Sequence, residues 1–167
     1  LNLTTNVPML VHDGVAHTQS SAVLRYAARL GGLYPEGVAE AYAVDNMIAA
    51  VDDYRSAAYG LVFGAKDAAT LAPFGEKLDA HFANFERLLG ENDCFCGDSI
   101  TVADTTAFDI FNNFGFNLLP SKRDSFPALI AFMERVKARP NMAAYMASDK
   151  FTGLMPFGSC EEAEAKE

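Results

Sequence analysis

The stretch from residue 7 to residue 26 restricts the possible fold of this chain more than any other. A short apolar strand, opened by Val7-Pro8, leads to an Asp13-Gly14 pair, and a second short strand follows that pair. A tight hairpin turn needs positive φ at both central residues, and Asp-Gly is among the pairs that tolerate it. Pro8 has no backbone N–H and suits the first residue of a strand, and an X-Pro bond adopts the cis form at low cost. The stretch therefore predicts an antiparallel hairpin.

A helix is predicted directly after the hairpin. Ser20 or Ser21 can act as its N-cap, and Gly31-Gly32 can end it. The side chains of Gln19 and Ser20 then lie near the unpaired N–H groups of the helix N-terminus. Such a terminus favours anions, because its N–H groups and the helix dipole both attract negative charge.

This arrangement resembles the second half of the thioredoxin-like, glutathione-binding domain of cytosolic glutathione transferases. The matching pieces are Val7-Pro8, Asp13-Gly14, Gln19-Ser20 and residues 22–26, in the family's order and spacing. The likeness is to the Tyr-type, mu/sigma-like group. It implies that the first two strands and the first helix of that domain lie upstream of Leu1, so that this chain would lack the first part of the N-terminal domain.

The rest of the chain is predicted to be helical. Residues 33–37 (Leu-Tyr-Pro-Glu-Gly) break the pattern and indicate a linker, and the apolar residues after them recur at helical spacing. The predicted fold class is α/β plus all-α: the C-terminal half of a thioredoxin-like domain (two antiparallel strands and a helix), followed by an all-helical bundle of glutathione transferase type. The predicted divisions are 1–32 for the partial first domain, 38–147 for the helical domain and 148–167 for a C-terminal tail.

Thr101 and Asp104 mark the start of a central helix. Thr101 as N-cap and Asp104 three residues later form a variant capping box, in which the carboxylate reaches back to the N–H of the cap. This Thr-x-Ala-Asp sequence also resembles the entry into the core helix of the family's second domain. The apolar residues that follow predict a buried helix face: Ala103, Ala107, Ile110, Phe111, Phe114 and Leu118.

Charge and cysteine content exclude several function classes. The net charge is −9, and no run of Lys or Arg occurs, which argues against nucleic acid or an anionic membrane surface as the main partner. The three cysteines, Cys94, Cys96 and Cys160, do not form a disulfide framework, and a cytoplasmic location is the default. Cys94 and Cys96 lack partner ligands at a useful spacing, so we interpret them as ordinary thiols near a loop.

The resemblance implies how glutathione, the expected co-substrate, would be held. The backbone of Val7, before a cis Pro8, would pair with the cysteinyl unit as an added strand does. Gln19 and Ser20 would hold the γ-glutamyl carboxylate. Asn6 stands where many members carry Gln, and its amide would serve the same backbone. The alternative is that Ser20 is only a cap and Gln19 only a loop residue.

The resemblance also implies a homodimer. Asp53 matches a carboxylate that crosses the dimer interface to the partner's glutathione amino group, and Asp52 is its neighbour; the alternative is a solvated acidic pair. Arg25 matches an interface arginine. A third carboxylate, which binds a metal in some prostaglandin-isomerising members, is replaced by Ala49, so no metal is predicted.

Tyr59 and Phe63 are the candidate walls of a pocket for the electrophile, since aromatic side chains suit flat hydrophobic substrates. They are equally compatible with a place in the core. No catalytic residue is assigned, because the family places the Tyr or Ser hydroxyl that stabilises the glutathione thiolate at the end of the first strand. We therefore expect little turnover from these 167 residues alone.

Two functions follow from the resemblance. The first is a glutathione transferase that conjugates the glutathione thiolate to hydrophobic electrophiles or isomerises a prostaglandin-like substrate. The alternative is a non-catalytic relative with a structural or interaction role. Gln19, Ser20 and Asp53 favour the first, and the codons upstream of Leu1 discriminate: a Tyr at the end of a first strand supports catalysis.

Overall fold

The computed structural model describes residues 7–63, 68–151 and 153, except for the side chains of residues 61 and 68–74. Within these residues a hairpin precedes a set of packed helices, which confirms the predicted fold class. None of the helices in these ranges combines the length and the apolar character needed to cross a membrane. The elements are β1 (Met9–His12), β2 (Val15–Thr18), α1 (Ser20–Leu30), α2 (Val38–Phe63), α3 (Ala68–Leu89), α4 (Val102–Ile110), α5 (Pro127–Lys137) and α6 (Pro140–Met146).

The hairpin forms as the sequence predicts. Strands β1 and β2 pair antiparallel, with Met9 opposite Thr18 and the turn at Asp13 and Gly14. Both turn residues have positive φ (50° and 75°), as a two-residue hairpin turn of this kind requires. The peptide bond between Val7 and Pro8 is cis.

Helix α1 begins differently from the prediction. Its N-cap is Gln19, with φ 71° and ψ 110°, and no side chain caps the helix. The expectation that Ser20 or Ser21 is the cap is therefore wrong. The Gln19 carbonyl accepts the first two hydrogen bonds of the helix, from the N–H groups of Ala22 and Val23. Ser20 is consequently the first helical residue, and its hydroxyl is not used on the backbone of its own helix.

The core lies among the helices that follow residues 33–37. Helix α2 packs against both α3 and α4, and α5 packs against α3 and α4. The side chain of Tyr54 is completely buried, and its hydroxyl donates a hydrogen bond to the carbonyl of Phe114, which follows α4 in the chain. Phenylalanine rings from α3, from the residues just after α4 and from α5 meet around this point; Phe82, Phe111 and Phe132 are completely buried. The domain division itself stays a prediction.

The central helix changes its winding after Ile110. All six residues of the predicted apolar face, from Ala103 to Leu118, are buried. Past Ile110 the chain forms a π-helical turn over Phe111–Gly115, closed by a bond from the N–H of Phe116 to the carbonyl of Phe111. This turn was not predicted, because no residue type or spacing in the sequence distinguishes a single π-helical turn from an α-helical one.

The predicted capping box at Asp104 is confirmed. The carboxylate is fully buried and accepts hydrogen bonds from the N–H and hydroxyl of Thr101, at 2.7 and 2.9 Å. Its other oxygen accepts the N–H of Phe95 at 2.8 Å. The carboxylate therefore caps α4 and ties the loop between α3 and α4 to it.

We expect Asp104→Ala to destabilise the protein by about 2–3 kcal/mol, because the substitution removes a cap and leaves buried donors without an acceptor. Urea denaturation of the variant and of the wild type measures the loss. Asp98→Ala is the matched control, since Asp98 is an exposed carboxylate of the same loop. Equal stability of the two variants would contradict this role for Asp104.

We expect Gly115→Ala to destabilise the protein by about 1–3 kcal/mol through overpacking. A Cβ at this position would lie 2.8 Å from the Cζ of Phe82, which has no space to move away because it is completely buried. Gly60→Ala in α2 is the control: its Cβ would meet nothing within 4 Å. Alanine should stabilise that exposed helical site slightly, so thermal denaturation should shift the two midpoints in opposite directions.

Candidate functional site

A cavity of about 500 Å³ lies where the N-terminus of α1, the second half of α2 and the end of α4 meet. Its volume is within the range of small-molecule sites. Its lining combines hydroxyl, charged, amide and aromatic groups, so it can hold a ligand with both polar and apolar parts. The lining residues are Ser20, Ser21, Leu24, Asp52, Arg55, Tyr59, Asp109, Asn113 and Phe114.

The structure brings Ser20 to this cavity, at the start of α1. Ser20 is exposed there, and the N–H groups of Ser20 and Ser21 come before the first hydrogen bonds of the helix, which Ala22 and Val23 donate to the Gln19 carbonyl. Gln19 is also exposed and precedes it with a positive φ of 71°, a conformation that is uncommon for a residue other than glycine. A carboxylate or phosphate is the group best matched to such a helix start.

The two aspartates of α2 have different environments. Asp52 lines the cavity and forms an ion pair with Arg55, one helical turn later, which also lines it. Asp53 is exposed on α2 and is not among the lining residues of this cavity. Neighbouring helical residues point about 100° apart, and of these two carboxylates only that of Asp52 faces this cavity.

Arg55, Asp109 and Asn113 are lining residues that sequence reasoning missed. The amide of Asn113 donates a hydrogen bond to Asp109 at 2.8 Å, along one side of α4 and its π-helical turn. The sequence does indicate that these polar residues share helix faces, because Arg55 lies three residues after Asp52 and Asn113 four residues after Asp109. What the spacing does not reveal is that the two polar faces meet.

Two aromatic residues of α2, Tyr59 and Phe63, lie at the surface and not in the core. Tyr59 is 43% exposed and lines the cavity, with its ring 5.5 Å from the ring of Phe114 and 5.7 Å from the ring of Phe63. Phe63 is 74% exposed. Edge-to-face contacts of this kind fix the three rings relative to one another. The core alternative for Tyr59 and Phe63 is therefore not what the structure has.

The other predicted site residues lie near the hairpin and α1. Val7 is 90% exposed beside the cis Pro8, and Asn6 falls outside the described residues. Arg25 is paired within its own chain: its Nε donates to Asp45 at 2.7 Å and its other guanidinium nitrogen donates to the carbonyl of Ser21 at 3.0 Å.

The two described cysteines flank Phe95 in the sequence, and the ring of Phe95 lies 5.0 Å from that of Phe132 in the core. The thiol of Cys96 donates to the carbonyl of Ala43, whereas Cys94 lines a different cavity beside Arg135. Burial raises the pKa of Cys96 to about 11, which keeps the thiol protonated and unreactive at neutral pH. This agrees with the interpretation of both as ordinary thiols.

Comparison with known proteins identifies the family. Residues 52–149 match the family model described as the C-terminal domain of glutathione S-transferase. The chain is 33% identical over 147 residues to glutathione S-transferase Mu 3 of Homo sapiens, which covers 87% of this chain and 64% of the relative. It is 34% identical over 134 residues to glutathione S-transferase P of Bos taurus, covering 78% of this chain and 63% of the relative. It is 32% identical over 153 residues to glutathione S-transferase Mu 1 of Oryctolagus cuniculus, covering 91% and 69%.

The first of these matches spans less than two thirds of the relative's length. The family model covers more than half of this chain, and it includes α3 to α6 and the part of α2 that lines the cavity. The chain therefore belongs to the glutathione S-transferase family.

Proposed function

We propose that this chain is part of a glutathione transferase that binds glutathione at the N-terminus of α1 and joins its thiolate to hydrophobic electrophiles. The observation that carries the proposal is the cavity in which Ser20 and the start of α1 face an ion pair and two aromatic rings. Glutathione has carboxylates at both ends and a thiol between them. The same cavity offers groups suited to a carboxylate and to an apolar partner of the thiol.

The polar end of the proposed site lies at Gln19 and Ser20. A carboxylate bound there accepts hydrogen bonds from the Ser20 hydroxyl and from the N–H groups of Ser20 and Ser21, and the helix dipole stabilises it further. The positive φ of Gln19 supports this assignment, because an uncommon backbone conformation persists only where the surrounding structure maintains it. The exposed backbone of Val7 beside Pro8 would pair with the cysteinyl unit, and the Asn6 amide would assist it.

The apolar end of the proposed site lies at Tyr59, with Phe114 and Phe63 beside it. Three aromatic rings in contact offer a flat apolar wall to a hydrophobic electrophile or to a prostaglandin-like substrate. Arg55, Asp109 and Asn113 add polar groups at the same cavity, which would orient a substrate that carries oxygen atoms.

The remaining assignments concern assembly. We propose a cytoplasmic homodimer of the mu/sigma-like group in which the exposed Asp53 reaches the glutathione amino group bound by the partner subunit, with Arg25 and Asp52 near the subunit contact. An exposed carboxylate on the outer face of α2 is compatible with such a reach. No metal is assigned to the site. The second candidate function, a non-catalytic relative, keeps the same binding cavity without turnover.

We expect the chain to bind glutathione and Ser20→Ala to weaken that binding by about tenfold, because a hydrogen bond to a carboxylate is lost. Isothermal titration calorimetry with glutathione measures both affinities. Ser125→Ala, at an exposed position in the 3₁₀ turn before α5, is the matched control and should bind like the wild type. No glutathione binding by the wild type would refute the proposed function.

We expect Tyr59→Ala to weaken binding of S-hexylglutathione by about fivefold, since less apolar area is buried against the hexyl group. Binding of plain glutathione should change by less than about twofold, because its polar contacts are elsewhere. Tyr42→Ala is the control: Tyr42 lies on the same helix and is 71% exposed, but it does not line the cavity. Equal loss for both ligands would mean that Tyr59 does not form the electrophile wall.

A further inference from the structure

The first turn of α1, which holds Ser20, has little packing of its own. Of the residues of α1, only Ala28 is buried, and it lies near the opposite end of the helix. Leu24 is partly buried against the core. Since packing of an apolar face supplies most helical stability in proteins, a helix start with so few buried contacts needs another restraint to stay in one place.

Arg25 provides a polar restraint between this turn and α2. One of its guanidinium nitrogens donates to the carbonyl of Ser21, and its Nε donates to Asp45 of α2 at 2.7 Å. The side chain of Arg25 is 28% exposed and that of Asp45 is 43% exposed, so the pair is partly shielded from water. The side chain of Arg25 thus joins Ser21, the residue next to Ser20, to Asp45 on α2.

Besides Arg25, a residue of the linker at 33–37 also contacts Asp45. Tyr34 is 9% exposed and its hydroxyl donates to Asp45. Burial and this hydrogen bond raise the pKa of Tyr34, so the hydroxyl keeps its proton. Burial acts against ionisation of Asp45, but the hydrogen bonds from Arg25 and Tyr34 outweigh it and lower the pKa of that carboxyl. The guanidinium of Arg29 lies 4.0 Å from the centre of the Tyr34 ring, which adds a second link from α1 to the same residues.

We infer that Arg25, Asp45 and Tyr34 are positioning residues that fix the first turn of α1, and with it Ser20, against α2. The inference rests on the proposed function, in which the Ser20 hydroxyl and the N–H groups of Ser20 and Ser21 bind the glutathione carboxylate. None of the three side chains lines the cavity. They act through the backbone of Ser21, and their loss leaves the binding groups present but less well placed.

The test compares Asp45→Asn and Tyr34→Phe with wild type by two measurements. The first is hydrogen–deuterium exchange of the first-turn amides of Ala22 and Val23 in the free protein, which does not depend on any ligand. We expect Asp45→Asn to speed it about tenfold while leaving the amides of α4 unchanged. Tyr34→Phe keeps the ion pair and should give a smaller increase.

The second measurement is glutathione affinity by calorimetry. We expect Asp45→Asn to bind about fivefold more weakly, and the double variant with Arg25→Met to be no worse than the single variants, because the residues act as one network. Asp98→Asn, which also removes one exposed negative charge, should match wild type in both measurements. If wild type fails to bind glutathione, the proposed function fails, and the exchange measurement alone decides the restraint on α1.

One outcome would overturn the inference: unchanged first-turn exchange in Asp45→Asn, whatever its affinity for glutathione. If such a variant also binds glutathione more weakly and dissociates from an oligomer in sedimentation velocity, the Arg25–Asp45 pair acts through the subunit contact proposed for Arg25 and not through the first turn of α1.

Discussion

The buried carboxylate of Asp104 is the interaction on which most of the fold depends. A carboxylate without solvent is tolerated only if its oxygens are hydrogen-bonded, and here three donors satisfy them. Through those donors one side chain starts α4 and fixes the preceding loop, with Phe95 turned toward the aromatic core. Helix α4 in turn supplies Asp109 to the cavity, and the π-helical turn that continues it supplies Asn113 and Phe114. The same carboxylate therefore supports both the core and the cavity.

The π-helical turn at the end of α4 connects packing with the candidate site. Phe111 and Gly115 face the interior, where Gly115 leaves room for Phe82, while Asn113 and Phe114 reach the cavity from the same turn. Widening a helix by one residue changes which side chains share a face. Inside the protein, the Phe114 carbonyl accepts a hydrogen bond from the Tyr54 hydroxyl. The turn is therefore held on its buried side and offers its polar groups on the other.

Prediction from sequence succeeded where the signal is local. The Asp13-Gly14 turn, the Thr101–Asp104 capping box and the buried face of α4 each follow from spacing that one element satisfies by itself. It failed at the start of α1, where two serines suggested a cap and the backbone used Gln19 instead. Cap preference is worth little energy beside the geometry that the hairpin imposes on the residue that follows it.

The candidate site divides in the same way. The order and spacing of the residues in the sequence indicate one family, which is the family that the comparisons identify. That resemblance singled out Val7-Pro8, Gln19-Ser20, Asp53, Tyr59 and Phe63. The sequence did not reveal the places of Arg55, Asp109 and Asn113 in the cavity, nor the Arg25–Asp45 pair. Each of these contacts depends on two helices meeting at one point.

The sequence by itself determined the hairpin, the succession of helices and the family, since turn chemistry, caps and apolar periodicity act within one element. Only the tertiary structure decided which polar faces share a cavity, which of two adjacent aspartates lines it, and what holds the first turn of α1. Those outcomes depend on the rotation and contact of whole helices, and helix packing fixes them only after the core has formed.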